Sequence, residues 1–144
     1  MSSRRADIPL ALISVAEMAR ARLLLKRGAP RAFQHYRLEA LGHSAPPLPT
    51  PPMDESARHD VRVASRAITL PVVRSTCLPT ALSLAAVLAR RGLECDVVLG
   101  VSQMDGFSAH AWIEAGARRF DPSGNIAADY KVIARMRRSV RTTA

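Results

Sequence analysis

Apolar positions recur at helical spacing over residues 8–27, 30–41, 54–70 and 78–91 of this chain. In the first stretch Leu10, Ile13, Ala16 and Leu24 are interleaved with Glu17 and Arg20, a mixed helical pattern. In the second, Phe33, Tyr36 and Leu41 point one way and Gly42 ends the run. Residues 43–53 hold five prolines, at 46, 47, 49, 51 and 52, and read as an extended connector or lid. Asp54 or Ser56 caps the third helix. The fourth carries Leu78, Leu82, Ala85, Leu88 and Ala89 on one face. Its Pro79 is tolerable only in a first turn, Ser75 or Thr76 can cap that turn, and Arg90-Arg91-Gly92 suits the C-terminal end. Residues 95–101 are β-branched and apolar, a buried strand. Two further short strands flank Ala115-Gly116-Ala117 as a hairpin, and 125–138 reads as a last helix before a basic end. The order predicts an α+β fold: N-terminal helices, then one helix packed on a small antiparallel sheet.

Composition narrows this picture. At 144 residues the chain makes one compact domain with a sizeable core, divided into an N-terminal helical region with its proline linker (1–53) and a core region (54–144). Two cysteines, Cys77 and Cys95, make no disulfide framework, so a reduced cytoplasmic setting is expected. The excess of 21 basic over 12 acidic residues gives +9, which favours acidic partners; a solvated arginine-rich surface is the plainer reading, and nucleic acid is not required. Arg4, Arg5 and apolar 8–16 resemble a signal peptide, but Asp7 and Glu17 bracket the run, no clean cleavage site follows, and it is too short to span a membrane. No CxxC, HExxH or phosphate-cradling glycine loop occurs, so neither a metal nor a cofactor is expected.

The candidate chemistry lies between residues 75 and 121. Cys77 falls in the first turn of the fourth helix, facing the positive end of its dipole, which favours the nucleophilic thiolate. His110 sits in one strand of the hairpin and Asp121 ends the other, a base and its orienter. Their meeting depends on the turn. A loop of Ala115-Gly116 sets them directly opposite, with Cβ atoms about 5 Å apart. A Gly116-Ala117 loop sets them diagonally on the same face, and a three-residue loop on opposite faces. Trp112 shares the His110 face by alternation and serves as site wall or core aromatic. Cys95, at a strand start, reads as a small core residue. Ser56, His59 and Asp60 imitate a hydrolase triad but crowd one helix, where His59 and Asp60 do not face each other. His35 and His43 lack partners at metal-ligand spacing.

The run C-L-P-x-A-L-x-L-x-x-x-L-x-R-R-G, followed by V-V-L-G-V, F-S-A-H-A-W-I-E and F-D-P-S, resembles the transglutaminase-like (papain-like) cysteine superfamily. Within it, the chain is similar to the small stand-alone leader peptidases of lasso-peptide biosynthesis. The matching motifs cover Cys77 to Ser123, and the Phe120-Asp121-Pro122 ending is nearer the broader superfamily. The resemblance implies a catalytic triad of Cys77, His110 and Asp121. It also implies a precursor peptide with a leader as substrate, a small leader-binding protein as partner, and a separate lasso cyclase acting on the product. The same residues would serve acyl or amide transfer to an amine, and a non-catalytic basic binding module is the rival outside enzymes.

Overall fold

The computed structural model describes residues 3–42, 46, 54–68, 77–103, 106, 108–115, 118–121 and 130–138. Its elements are α1 (Ser3–Lys26), α2 (Ala29–His35), β1 (Leu38–Leu41), α3 (Glu55–Ile68), α4 (Cys77–Arg90), β2 (Cys95–Ser102), β3 (Ser108–Ala115), β4 (Arg118–Phe120) and β5 (Lys131–Arg138). The five strands form one antiparallel sheet in the order β1-β5-β2-β3-β4. This is the expected α+β architecture, with α4 at its centre.

Residues 79–88 of α4 are all buried, so this helix is wrapped on every side. α1 and α3 pack on it, and β2 and β3 lie against it. A helix apolar nearly all round belongs in such a place. Its most deeply buried hydroxyl is satisfied: Ser83 Oγ donates to the Pro79 carbonyl at 2.7 Å, a local bond within the helix. Gly92 adopts φ 72, with Leu93 N–H bonded to Leu88 O and Gly92 N–H to Ala89 O, both at 3.0 Å. That Schellman ending turns the chain sharply into β2. α3 is capped by Asp54, whose Oδ1 accepts from Ala57 N–H at 2.7 Å, and it buries Ala57, Val61, Ala64, Ala67 and Ile68. The caps expected from Ser75 or Thr76, the proline connector apart from Pro46, and Pro122 lie outside the described residues.

Three elements differ from the sequence reading. α1 begins at Ser3 rather than Ile8, its first turns tied to α3 by a 2.9 Å contact between Asp7 Oδ1 and His59 Nε2. The second helix stops at His35: Tyr36 and Arg37 turn the chain, Arg37 at φ 55, and Leu38–Leu41 becomes the edge strand paired with β5. Residues 131–138, read as helix, are a strand pairing with both β2 and β1. Among the described residues no helix is long and apolar enough to cross a membrane.

Candidate active site

The hairpin register decides how His110 and Asp121 meet. Ala115 pairs with Arg118, Glu114 with Arg119 and Ile113 with Phe120, so the connection is the two residues Gly116 and Ala117. His110 and Asp121 are therefore diagonal on one face, the second of the expected arrangements. The diagonal is bridged: His110 Nε2–H donates to Asp121 Oδ2 at 2.5 Å. A carboxylate only accepts, so the contact puts the imidazole proton on Nε2. The His110 and Asp121 side chains are 7% and 8% exposed. In so dry a setting a charge-assisted bond is strong, and it holds the ring in one orientation.

Aromatic rings fix the imidazole from the sides. The Trp112 ring centroid lies 6.0 Å from that of His110, and Tyr130 lies 5.5 Å from it. Gly100, cross-strand partner of His110, makes room for this cluster. A Cβ there would stand 2.8 Å from Trp112 Cη2, 2.9 Å from Cζ3 and 3.0 Å from Tyr130 Cβ. The Arg119 guanidinium stacks over the outer side of the indole, 4.5 Å from its centroid. Deeper on the sheet, Asp96 is wholly buried and pairs across the ladder with Glu114, another carboxylate. Arg135 Nη1 bridges the two, at 2.9 Å to Asp96 and 2.6 Å to Glu114, and Arg137 grips both Asp96 oxygens. Burial works against the Arg135 charge, but its hydrogen bonds to Glu114 and Asp96 outweigh that and hold the guanidinium above its ordinary range. This network ties β2, β3 and β5 together on the His110 face of the sheet, farther along the strands.

Cys77 is the first residue of α4, half-buried at the margin of the core. α4 packs on β3, whose Ala111, Ile113 and Ala115 join that core, while His110 and Trp112 alternate to the other side of the strand. The structure thus brings His110 and Asp121 together, and among the described residues no hydrogen bond joins Cys77 to either. Cys95 is fully buried, and burial pushes its thiol up to about 12, which suits an inert core residue. Ser56, His59 and Asp60 form no hydrolase site: His59 bonds Asp7, and Ser56 and Asp60 both take Arg91. Among the described residues no group of three His, Cys, Asp or Glu side chains could hold a metal ion. Tyr130, Arg119 and Gly100 escaped the sequence reading. Tyr130 lay in a stretch read as helix, and only its bulky ring hinted at a role.

The chain matches the transglutaminase-like superfamily over residues 15–135, most of its length, and belongs to that superfamily. The match takes in the second half of α1 as well as the motif-bearing region. No curated protein and no solved structure gives a significant match.

Proposed function

We propose that this protein is a cysteine endopeptidase that removes the leader from a ribosomally made lasso-peptide precursor, with Cys77 as nucleophile, His110 as base and Asp121 as its orienter. The observation that carries the catalytic part is the buried His110–Asp121 hydrogen bond in a transglutaminase-like chain. Because Asp121 takes Nε2, His110 Nδ1 is the nitrogen for the thiol. Nδ1 accepts the Cys77 proton as Sγ attacks the scissile carbonyl, forming a C–S bond and an oxyanion. The Cys77 amide, at the helix start, is the oxyanion donor. Collapse of the adduct breaks the C–N bond, and His110 returns the proton to the leaving amine. Water, deprotonated by the same nitrogen, then cleaves the thioester and restores the thiol. No hydrogen bond joins Cys77 to His110 among the described residues, and in this scheme that contact forms as substrate seats. The leader-bearing substrate rests on the motif resemblance alone.

Cleavage of a precursor peptide followed by mass spectrometry tests the scheme. Cys77→Ala and His110→Ala should each abolish cleavage with the fold intact; cleavage near the parent rate in either sinks it. Run in heavy-oxygen water, the reaction should place one label in the new carboxyl group, whereas an amine-dependent adduct would assign acyl transfer instead. A small leader-binding protein should accelerate cleavage, because among the described residues the region ahead of α3 offers two helices and a single four-residue edge strand, β1, for gripping a leader. Equal rates with and without it would remove that partner from the scheme.

A further inference from the structure

A cleft of about 270 Å³ opens at the far end of α4 from Cys77, where α1, α2 and β5 converge. At about 1.5 Å per residue, Cys77 and Arg90 stand ~20 Å apart along the helix, so this cleft is separate from the His110 site. Its polar lining is Glu17, Arg20, His35, Tyr36, Arg90 and Arg138, three guanidinium groups against a single carboxylate. Glu17 is committed: its Oε1 meets Arg20 Nη1 at 3.5 Å and Arg90 Nη2 at 3.3 Å. Arg138 is not. It makes no hydrogen bond or ion pair among the described residues. Burial, with like charge from Arg37, holds its guanidinium below the ordinary value. Tyr36 is 2% exposed, and its buried hydroxyl has no hydrogen-bond partner among the described residues. It feels the Glu17 charge without making a bond of normal geometry to it.

A half-buried cation and a buried hydroxyl, both uncommitted, lining one cleft form an incomplete set. Buried polar groups are ordinarily satisfied, so the set implies a missing acceptor. We infer that the cleft is an anion site that takes a peptide carboxylate, from an acidic side chain or a chain end, on the Arg138 guanidinium and the Tyr36 hydroxyl. One uncommitted guanidinium matches one negative charge. The two oxygens of a carboxylate match a guanidinium edge and a neighbouring hydroxyl. The inference does not rest on the peptidase reading, and its test reads binding, not cleavage.

The test is a nuclear magnetic resonance titration of the full chain, following the backbone amides of His35 and Tyr36. The probes are N-acetylglutamate α-amide, N-acetylalanine, neutral N-acetylglutamine amide and inorganic phosphate, at matched ionic strength. A carboxylate probe should shift these amides saturably and bind at least ~10-fold tighter than the glutamine amide. Arg138→Gln and Tyr36→Phe should each weaken it ~10-fold, the scale of a hydrogen bond to a charged group, while Arg31→Gln, on the exposed surface, should not. Melting curves confirm that each variant is folded. Tighter binding of the glutamate probe assigns the carboxylate to a side chain; tighter binding of N-acetylalanine assigns it to a chain end. Phosphate outcompeting both, the glutamine amide binding as well as glutamate, or either variant binding like the parent overturns the inference.

Discussion

Gly100 shows how one position serves both the sheet and the site. It pairs with His110 on β3 and with Val132 on β5, and a register shift falls between Leu99 and Gly100. Gly100→Ala would put a methyl group within 3.0 Å of three ring or side-chain carbons of Trp112 and Tyr130. Those rings also flank the imidazole, so the strain would reach the base. The variant should lose about 1–3 kcal/mol of stability, the usual cost of overpacking. Urea unfolding would measure it, and a loss below a few tenths of a kcal/mol would show that the rings yield freely. Two other residues predict alkaline behaviour. Burial pushes the Cys95 thiol from 9.0 to about 12, and burial with the Glu17 charge pushes the Tyr36 hydroxyl from 10.0 to about 12. In the unfolded chain both release protons near their ordinary values; in the folded chain they hold them to about 12. The unfolded state therefore binds fewer protons in this window, and stability falls as pH rises from about 9 towards 12. Each group contributes a slope of at most about 1.4 kcal/mol per pH unit, and neither contributes below pH 9. Cys95→Ala and Tyr36→Phe should each flatten the urea midpoint against pH between 9 and 11; unchanged slopes would show that both groups ionise in place.

Elements were legible where local chemistry and tertiary packing agree. α4 carried its own start and stop in Pro79, Arg90 and Gly92, and the chain obeys them. The hairpin was legible except for one residue of loop, and that residue set whether His110 and Asp121 met squarely or on the diagonal. The two missed strands were hidden by long-range partners. Leu38-Glu39-Ala40-Leu41 are good helix formers, and only pairing with a strand about a hundred residues away makes them extended. β5 reads as Lys-Val-Ile-Ala-Arg-Met-Arg-Arg, with arginines at positions a buried strand would fill with apolar residues. Their partners, Asp96 and Glu114, belong to β2 and β3, which no local window contains. The same fact predicts a stability pattern. Asp96→Ala takes from the nearly buried Arg135 one of its two counter-charges and from Arg137 its carboxylate partner, and should cost up to about 3–5 kcal/mol. Asp96→Leu combined with Arg135→Met removes both charges and should cost clearly less. Comparison of the two by denaturant unfolding decides; if the double variant is the less stable, the network contributes more than charge balance.

At the scale of the whole molecule, the sequence suggested one compact domain in two parts, helices and a proline-rich connector up to residue 53 and the thiol, base and orienter beyond it. The packing runs across that boundary. Met18 and Ala21 of α1, and Ala32 and Tyr36 beyond it, lie in the same apolar cluster as α3, α4 and the sheet. Ser83 of α4 lies against Met18, its Oγ 3.7 Å from Sδ, and Glu17, 6% exposed, pairs with Arg90 at the end of α4. The superfamily match likewise starts at residue 15. Removing α1 would uncover one flank of a helix that is buried on every side. Met18 alone is the kind of side chain whose loss costs about 2–5 kcal/mol, and a whole domain holds only about 5–15 kcal/mol in reserve. A fragment of residues 54–144 should therefore show no cooperative thermal unfolding, bind no carboxylate probe and cleave no precursor, even though it contains Cys77, His110 and Asp121. Circular dichroism melting of that fragment beside the full chain, with the same cleavage assay on both, tests this. A cooperative melt together with cleavage by the fragment would show that α1 only covers a core able to stand without it.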